Sequence, residues 1–306
     1  MTWKRLSSVL FVLIALATSG LVARHFVRNG WPLHRANFWL VGAAALIFAC
    51  AYAAKAWGWQ RLFSDGERPA VLTLAAAGGA ASVGGIALPG RCDEVIRVAV
   101  VRRCRRRTAS YGAVALSIVL LGLIDSAAMT PLAAVALAAV QLGGWLQAGL
   151  AVVIAAGIAA SGLVLALPRI ARFGFVTRFR AGRWLRENAT PRREALWAWA
   201  AVALSWGLRS LATFVLFAAL GLGADLSLAI AFVCASAAAA VLPVAPAGAA
   251  MQAGAGAAIL VAAGVHAEQA IAFGVAAQAL VIAAGASFVI VLGAWHAQGR
   301  LALAAR

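Results

Sequence analysis

The chain is short of charge and very short of acid. Charged residues make up 11% of its 306 positions, and only nine are Asp or Glu. A soluble domain carries about 25% charged residues. Long apolar runs recur along the whole length, so no separate soluble domain of ~100 residues is expected. The four cysteines (Cys50, Cys92, Cys104, Cys234) form no C-x-x-C pair. That spacing excludes a disulfide framework and a cysteine metal site. The four histidines (His25, His34, His266, His296) also lack ligand spacing. No Walker motif is present. Asp93 and Glu94 are adjacent, so on a helix they point in different directions. No metal, no cofactor and no catalytic constellation are expected.

Apolar residues fill the space that charge leaves, at 64% of the chain. A membrane-crossing helix needs ~20 of them in a row. Six stretches qualify: 6–23, 38–57, 109–127, 147–168, 196–220 and 269–293. The first follows Lys4-Arg5 like a signal peptide. It runs on to Ala23 and is read as a span that stays attached. Two further apolar regions, 70–88 and 227–264, are rich in Gly and Ala and carry proline-marked breaks at Pro89-Gly90 and at Pro243-Val244-Ala245-Pro246-Ala247-Gly248. The expected fold is all-α, a polytopic membrane bundle of six full spans and two broken or re-entrant segments. It forms one integral membrane domain over 1–306, divisible into halves 1–140 and 141–306.

The net charge of +17 is concentrated. Loops 91–107 and 169–193 hold seven and eight arginines. Arginine beside membrane spans marks the cytoplasmic side and meets anionic lipid heads. Both loops are therefore placed in the cytoplasm of a multi-pass inner-membrane protein, and no nucleic-acid partner is expected. Loop 169–193 mixes Arg with Phe173, Phe175, Phe179 and Trp184, which suits a helix lying in the interface. With both loops inside, 227–264 starts and ends on the outer side, as two spans or as a re-entrant hairpin. With Lys4 and Arg5 inside, 70–88 starts and ends on the inner side. Each half then holds two spans, a broken segment and a closing span, running in opposite directions. That is the inverted-repeat order of many transporters. No residue-level repeat stands out beside it.

Polar residues inside apolar runs are the candidate site. Arg91, Glu94 and Arg97 recur every three residues and share a helical face. Guanidinium groups bind phosphate in a bidentate fork. Arg209 sits in the middle of 196–220, where an arginine should face the bundle interior or a cavity. Asp125 either pairs with a basic residue or sits at the outer interface. Gln252 is the polar side chain nearest the second break, and Gln278 suits a hydrogen bond between helices.

The segment Pro89-Gly90-Arg91-Cys92-Asp93-Glu94-Val95-Ile96-Arg97 resembles the P-x-R-x-G-E-x-x-R signature of the lysylphosphatidylglycerol synthase transmembrane-region family of flippase-like membrane proteins. Pro89, Arg91, Glu94 and Arg97 match, and Asp93 replaces the usual glycine. Residues 243–253 resemble the family's later P-x-x-P-G-G-x-G-x-x-E segment through Pro243, Pro246 and Gly248. Ala247 and Ala250 replace glycines, and Ala253 replaces the acid. The resemblance implies a membrane part that binds and translocates an anionic phospholipid or lipid-linked headgroup, without aminoacyl transfer. Taken with the polar residues above, the flippase reading places Arg91, Glu94, Arg97, Arg209, Gln252 and Asp125 at the substrate, with Pro89, Gly90, Pro243, Pro246 and Gly248 at the breaks. Two other classes stay open, an accessory partner of a lipid-modifying or glycosyltransferase enzyme and an integral-membrane lipid-modifying enzyme.

Overall fold

A computed structural model describes residues 24, 28, 30–33, 36–87, 92–104, 110–140, 143–170, 190–241 and 248–304. The first expected span and most of loop 169–193 lie outside these residues, as do Pro89, Gly90, Arg91, Pro243 and Pro246. The described chain is helical throughout. It runs α1 (Phe38–Gln60), a 3-10 turn (Asp65–Glu67), α2 (Val71–Ala87), α3 (Cys92–Cys104), α4 (Tyr111–Ala139) and α5 (Gly144–Ile170), then α6 (Arg192–Leu220), α7 (Leu226–Val241), α8 (Gly248–Ala262) and α9 (Ala267–Ala304).

Five of these helices are long and apolar enough to cross a membrane: α1, α4, α5, α6 and α9. They match the expected spans from 38–57 onward. The fourth helix runs past its expected end at 127, through Pro131, to Ala139. Asp125 near 127 reads as a possible interfacial residue in the sequence, but it is paired inside the bundle. A proline removes one backbone donor, which a packed helix tolerates where its neighbours cover the break.

The two broken regions are helical hairpins. The α7 helix has 16 residues and α8 has 15. At 1.5 Å per residue each is about 24 Å long or less, short of a hydrocarbon core of about 30 Å. They lie antiparallel, with the Ser236 hydroxyl donating to the Gln252 carbonyl at 2.9 Å and Phe232 packed on Gly256. The first hairpin pairs α2 with α3 through Gly84 and Ile96.

The hairpins enter from opposite ends. The end of α1 meets the start of α4, where the Trp59 indole donates to Ser117 at 3.0 Å. It also meets the start of α6, where Glu194 bridges Arg61 and Arg68 at 3.4 and 3.2 Å. Arg102 stacks on Tyr111 at that same end, 3.8 Å from the ring centroid. The first hairpin therefore starts and finishes at the arginine-rich end. The second starts after Gly221, a left-handed glycine that closes α6. It returns to Gly264 before α9, at the opposite end.

Small residues let these helices approach, since in lipid van der Waals packing drives helix association. The α1 and α6 helices run antiparallel, with Gly58 against Ala198 and Ala201 and the Ser205 hydroxyl donating to the Ala51 carbonyl at 2.8 Å. Gly79 of α2 crosses Gly285 of α9 backbone to backbone, and Gly157 of α5 crosses Ser126 of α4. Exposed aromatics gather at both ends. Phe38, Trp39 and Trp145 mark one, and Tyr111, Trp197, Trp199 and Trp295 mark the other, as interfacial belts do.

A Cβ on Gly79 would overlap the Gly285 carbonyl, so Gly79→Ala is expected to cost about 1–3 kcal/mol, the usual range for overpacking. Gly42 has open space around it, so Gly42→Ala should be neutral or stabilising by about 0.5–1 kcal/mol. Thermal unfolding of both variants in detergent checks the contrast. Equal melting points would show that the crossing does not hold α2 against α9.

Candidate functional site

The bundle encloses a cavity of about 670 Å³ between the two hairpins and helices α1, α4, α6 and α9. Glu94 and Arg97 from α3, Asp125 from α4, Arg209 from α6, and Gly248 and Gln252 from α8 all line it. With Gln278 of α9, which also lines it, the side chains picked out by polarity alone come from five separate helices to one space.

The helix face explains their grouping. Trp206 and Arg209 are three apart on α6, so ring and guanidinium share a side. The Arg209 guanidinium carbon lies 4.8 Å from the Trp206 ring centroid and 5.4 Å from that of Tyr52 on α1. Lys55, three residues after Tyr52, lies 5.4 Å from the same Trp206 ring. One indole thus carries two cations, a contact favoured when water is excluded.

The two cations are neutralised differently. Lys55 Nζ sits 2.6 Å from Asp125 Oδ2, and the Trp206 indole N–H donates to Asp125 Oδ1 at 3.1 Å. Asp125 is therefore the partner of a basic residue and not an interfacial acid. Arg209 has no ion pair among the described residues, and its Nε is buried without a hydrogen-bond partner there. An arginine at a helix centre costs about 2.5–3.5 kcal/mol to place in a membrane. Cation–π contact with two rings offsets part of that cost. It leaves the fork of donors unused.

At the tip of the first hairpin, Arg97 pairs with Asp93 at 3.5 Å, one turn earlier. The residue that departs from the family signature is thus the one that holds Arg97. At the second hairpin, Gln278 of α9 donates to the Gln252 side chain at 3.3 Å, the hydrogen bond between helices expected for Gln278. Phe232 lines the cavity and packs edge-on against Phe273, which stacks on Phe217 at 4.4 Å. Val119 and Gly122 of α4 and Ala240 of α7 line the cavity and are also exposed. The wall therefore reaches the outer surface of the bundle on that side.

Lys55, Tyr52 and Trp206 belong to the site, although polarity along the chain does not single them out. Lys55 lies close to the end of its apolar run, where a lysine marks only the side of the membrane. The available signal is the repeated spacing of Tyr52 with Lys55 and of Trp206 with Arg209, an aromatic three residues before a cation.

Residues 6–293 match the family described as the lysylphosphatidylglycerol synthase TM region. No curated protein and no solved structure matches the chain.

Trp206→Phe keeps a ring under both cations but removes the N–H bound to Asp125. Losing a donor to a partly buried carboxylate that keeps its lysine costs about 1 kcal/mol, so the variant should melt at a lower temperature. In an Asp125→Asn background the same Trp206→Phe change should cost less, because the acceptor is then neutral. Additive effects of the two changes, read by thermal unfolding, would contradict the contact.

Proposed function

Because the chain belongs to the family of the lysylphosphatidylglycerol synthase TM region, we propose that it is a flippase-like protein of the inner membrane. In this reading it binds the phosphate of an anionic phospholipid or lipid-linked headgroup in the cavity and passes it between leaflets. The observation that supports this best is Arg209. It lies mid-helix on the cavity wall, with a buried Nε that lacks a partner among the described residues. A phosphate leaving water needs a charge partner inside a low-dielectric path. Arg209 supplies one and Arg97 a second.

The wall exposed at Val119, Gly122 and Ala240 leaves room for acyl chains to stay in lipid while the head occupies the cavity. The charged surroundings agree with the orientation argued from the loops. Arg61, Arg68, Arg102 and Arg103 gather at the end assigned to the cytoplasm. Entry of the headgroup past Arg97 then leads inward to Arg209. Transport in this reading is energised by an ion gradient or runs as scrambling, and the protein carries out no bond-breaking step.

The test is translocation of labelled phosphatidylglycerol in reconstituted vesicles. Arg209→Ala and Arg97→Ala should each lower the rate about tenfold or more, the value of one charge-assisted contact, while the proteins still fold. Arg97→Lys should restore part of the rate, because an ammonium lacks the planar fork. Leu204→Ala, on an exposed face of α6, should matter far less. A parent protein that moves no phospholipid, or folded arginine variants that match it, would sink the reading.

A further inference from the structure

The cavity is built twice. Matching helices of the two halves begin at 38 and 192, 71 and 226, 92 and 248, and 111 and 267, a constant interval to within two residues. Packing follows the same exchange. The α1–α2 contact is mirrored by α6–α7, α2–α9 by α7–α4, and α4–α6 by α9–α1. The lining side chains repeat at that interval too. Tyr52 answers to Trp206, Lys55 to Arg209, Ser82 to Ser236 and Arg97 to Gln252, and all eight face the cavity. The α1–α6 pair crosses at Ala51 and Ser205, which are themselves counterparts. Lys55 and Arg209 are therefore equivalent cations on either side of a pseudo-two-fold axis.

One element breaks the symmetry. Asp125 binds Lys55, yet the positions matching it on α9 are Ala279, Leu280 and Val281. At those positions the second half has no carboxylate to give Arg209. In inverted repeats the two access states arise when the halves exchange conformations. The cation that is bare in one state is then the other's counterpart. For Lys55 to become bare, Asp125 must leave it. Trp206 supplies the path, since its N–H holds Asp125 and its ring lies under both Lys55 and Arg209.

We propose that Asp125 is an exchangeable counter-ion, and that Lys55 and Arg209 are two stations for one phosphate. Phosphate occupies Arg209 while Asp125 holds Lys55. As the cavity turns over, carboxylate and phosphate trade cations, with the Trp206 N–H as the pivot. Each cation keeps an anion throughout, so no bare charge is buried in the membrane. This rests on the lipid-binding reading above and adds the order of events within it.

The test uses the full chain in nanodiscs, with phosphatidylglycerol binding read by native mass spectrometry and translocation read in vesicles. Lys55→Met should set Asp125 free to occupy Arg209 and so weaken phosphatidylglycerol binding about tenfold. Adding Asp125→Asn to Lys55→Met should return the affinity to near the parent's. Asp125→Asn alone should bind about tenfold more tightly and translocate more slowly, because both stations are then open to phosphate. A purely structural ion pair predicts the reverse, weaker binding for each single variant and no rescue in the double. Should Asp125→Asn alone fail to fold, the comparison of Lys55→Met with the double variant decides, since removing both charges of a buried pair is well tolerated. No rescue in the double, or no tightening in a folded Asp125→Asn, overturns the exchange. The same pattern with inorganic phosphate but not with the lipid would keep the exchange and reject the lipid. A parent that neither binds nor moves phosphatidylglycerol, and binds no inorganic phosphate, rejects both.

Discussion

Lys55, Asp125 and Arg209 come from three different helices and converge on the Trp206 ring, in a bundle whose outer face meets hydrocarbon. That convergence constrains everything around it. Charges at this depth survive only where protein or a polar cavity surrounds them. So α1, α4 and α6 must lie side by side in one register, and the Ala51–Ser205 crossing fixes it. Moving either helix by one residue would turn Lys55 or Arg209 toward lipid.

The small residues of the chain follow from the same demand. Gly58, Gly79, Gly157 and Gly256 each sit where a neighbouring helix leaves no room for a side chain. Close crossings bring α2 against α9 and α7 against α8, and so bring Glu94 and Arg97 of the first hairpin and Gln252 of the second to one cavity. Glycine and alanine richness is therefore tied to the broken segments and does not indicate loose structure.

The departures from the family signature at Asp93 and Ala253 bear on the polar groups of the cavity. Asp93, which stands where a glycine is usual, pairs with Arg97. The acid missing at Ala253 leaves Gln252 as the polar group of the second hairpin, tied to Gln278. On α9 the positions matching Asp125 are Ala279, Leu280 and Val281, so no matching carboxylate faces Arg209. That asymmetry between otherwise matching halves leaves Arg209 without an ion pair among the described residues while Lys55 is covered.

Much of this is legible in the sequence. Hydropathy registers residue by residue, so the spans from 38 onward, the two breaks and the arginine-rich end can be read directly. Arg209 and Asp125 stand out because a charge in an apolar run is costly wherever the run is placed. The partner of Asp125 cannot be read, since it depends on which helices lie adjacent, and that is set by packing between distant segments. Lys55 is hidden for the same reason, near a helix end where a lysine can reach water. The residue-level repeat is also hidden. Tyr and Trp, Lys and Arg, and Arg and Gln are chemically related but not identical, and their correspondence shows only when the halves are matched by their contacts. Hydropathy and charge along the chain dictate that it crosses a membrane, where it breaks and which charges it must shelter. Which charge shelters which is set by the fold, because ion pairing in a low-dielectric interior is settled by geometry of a few ångströms between helices far apart in the chain.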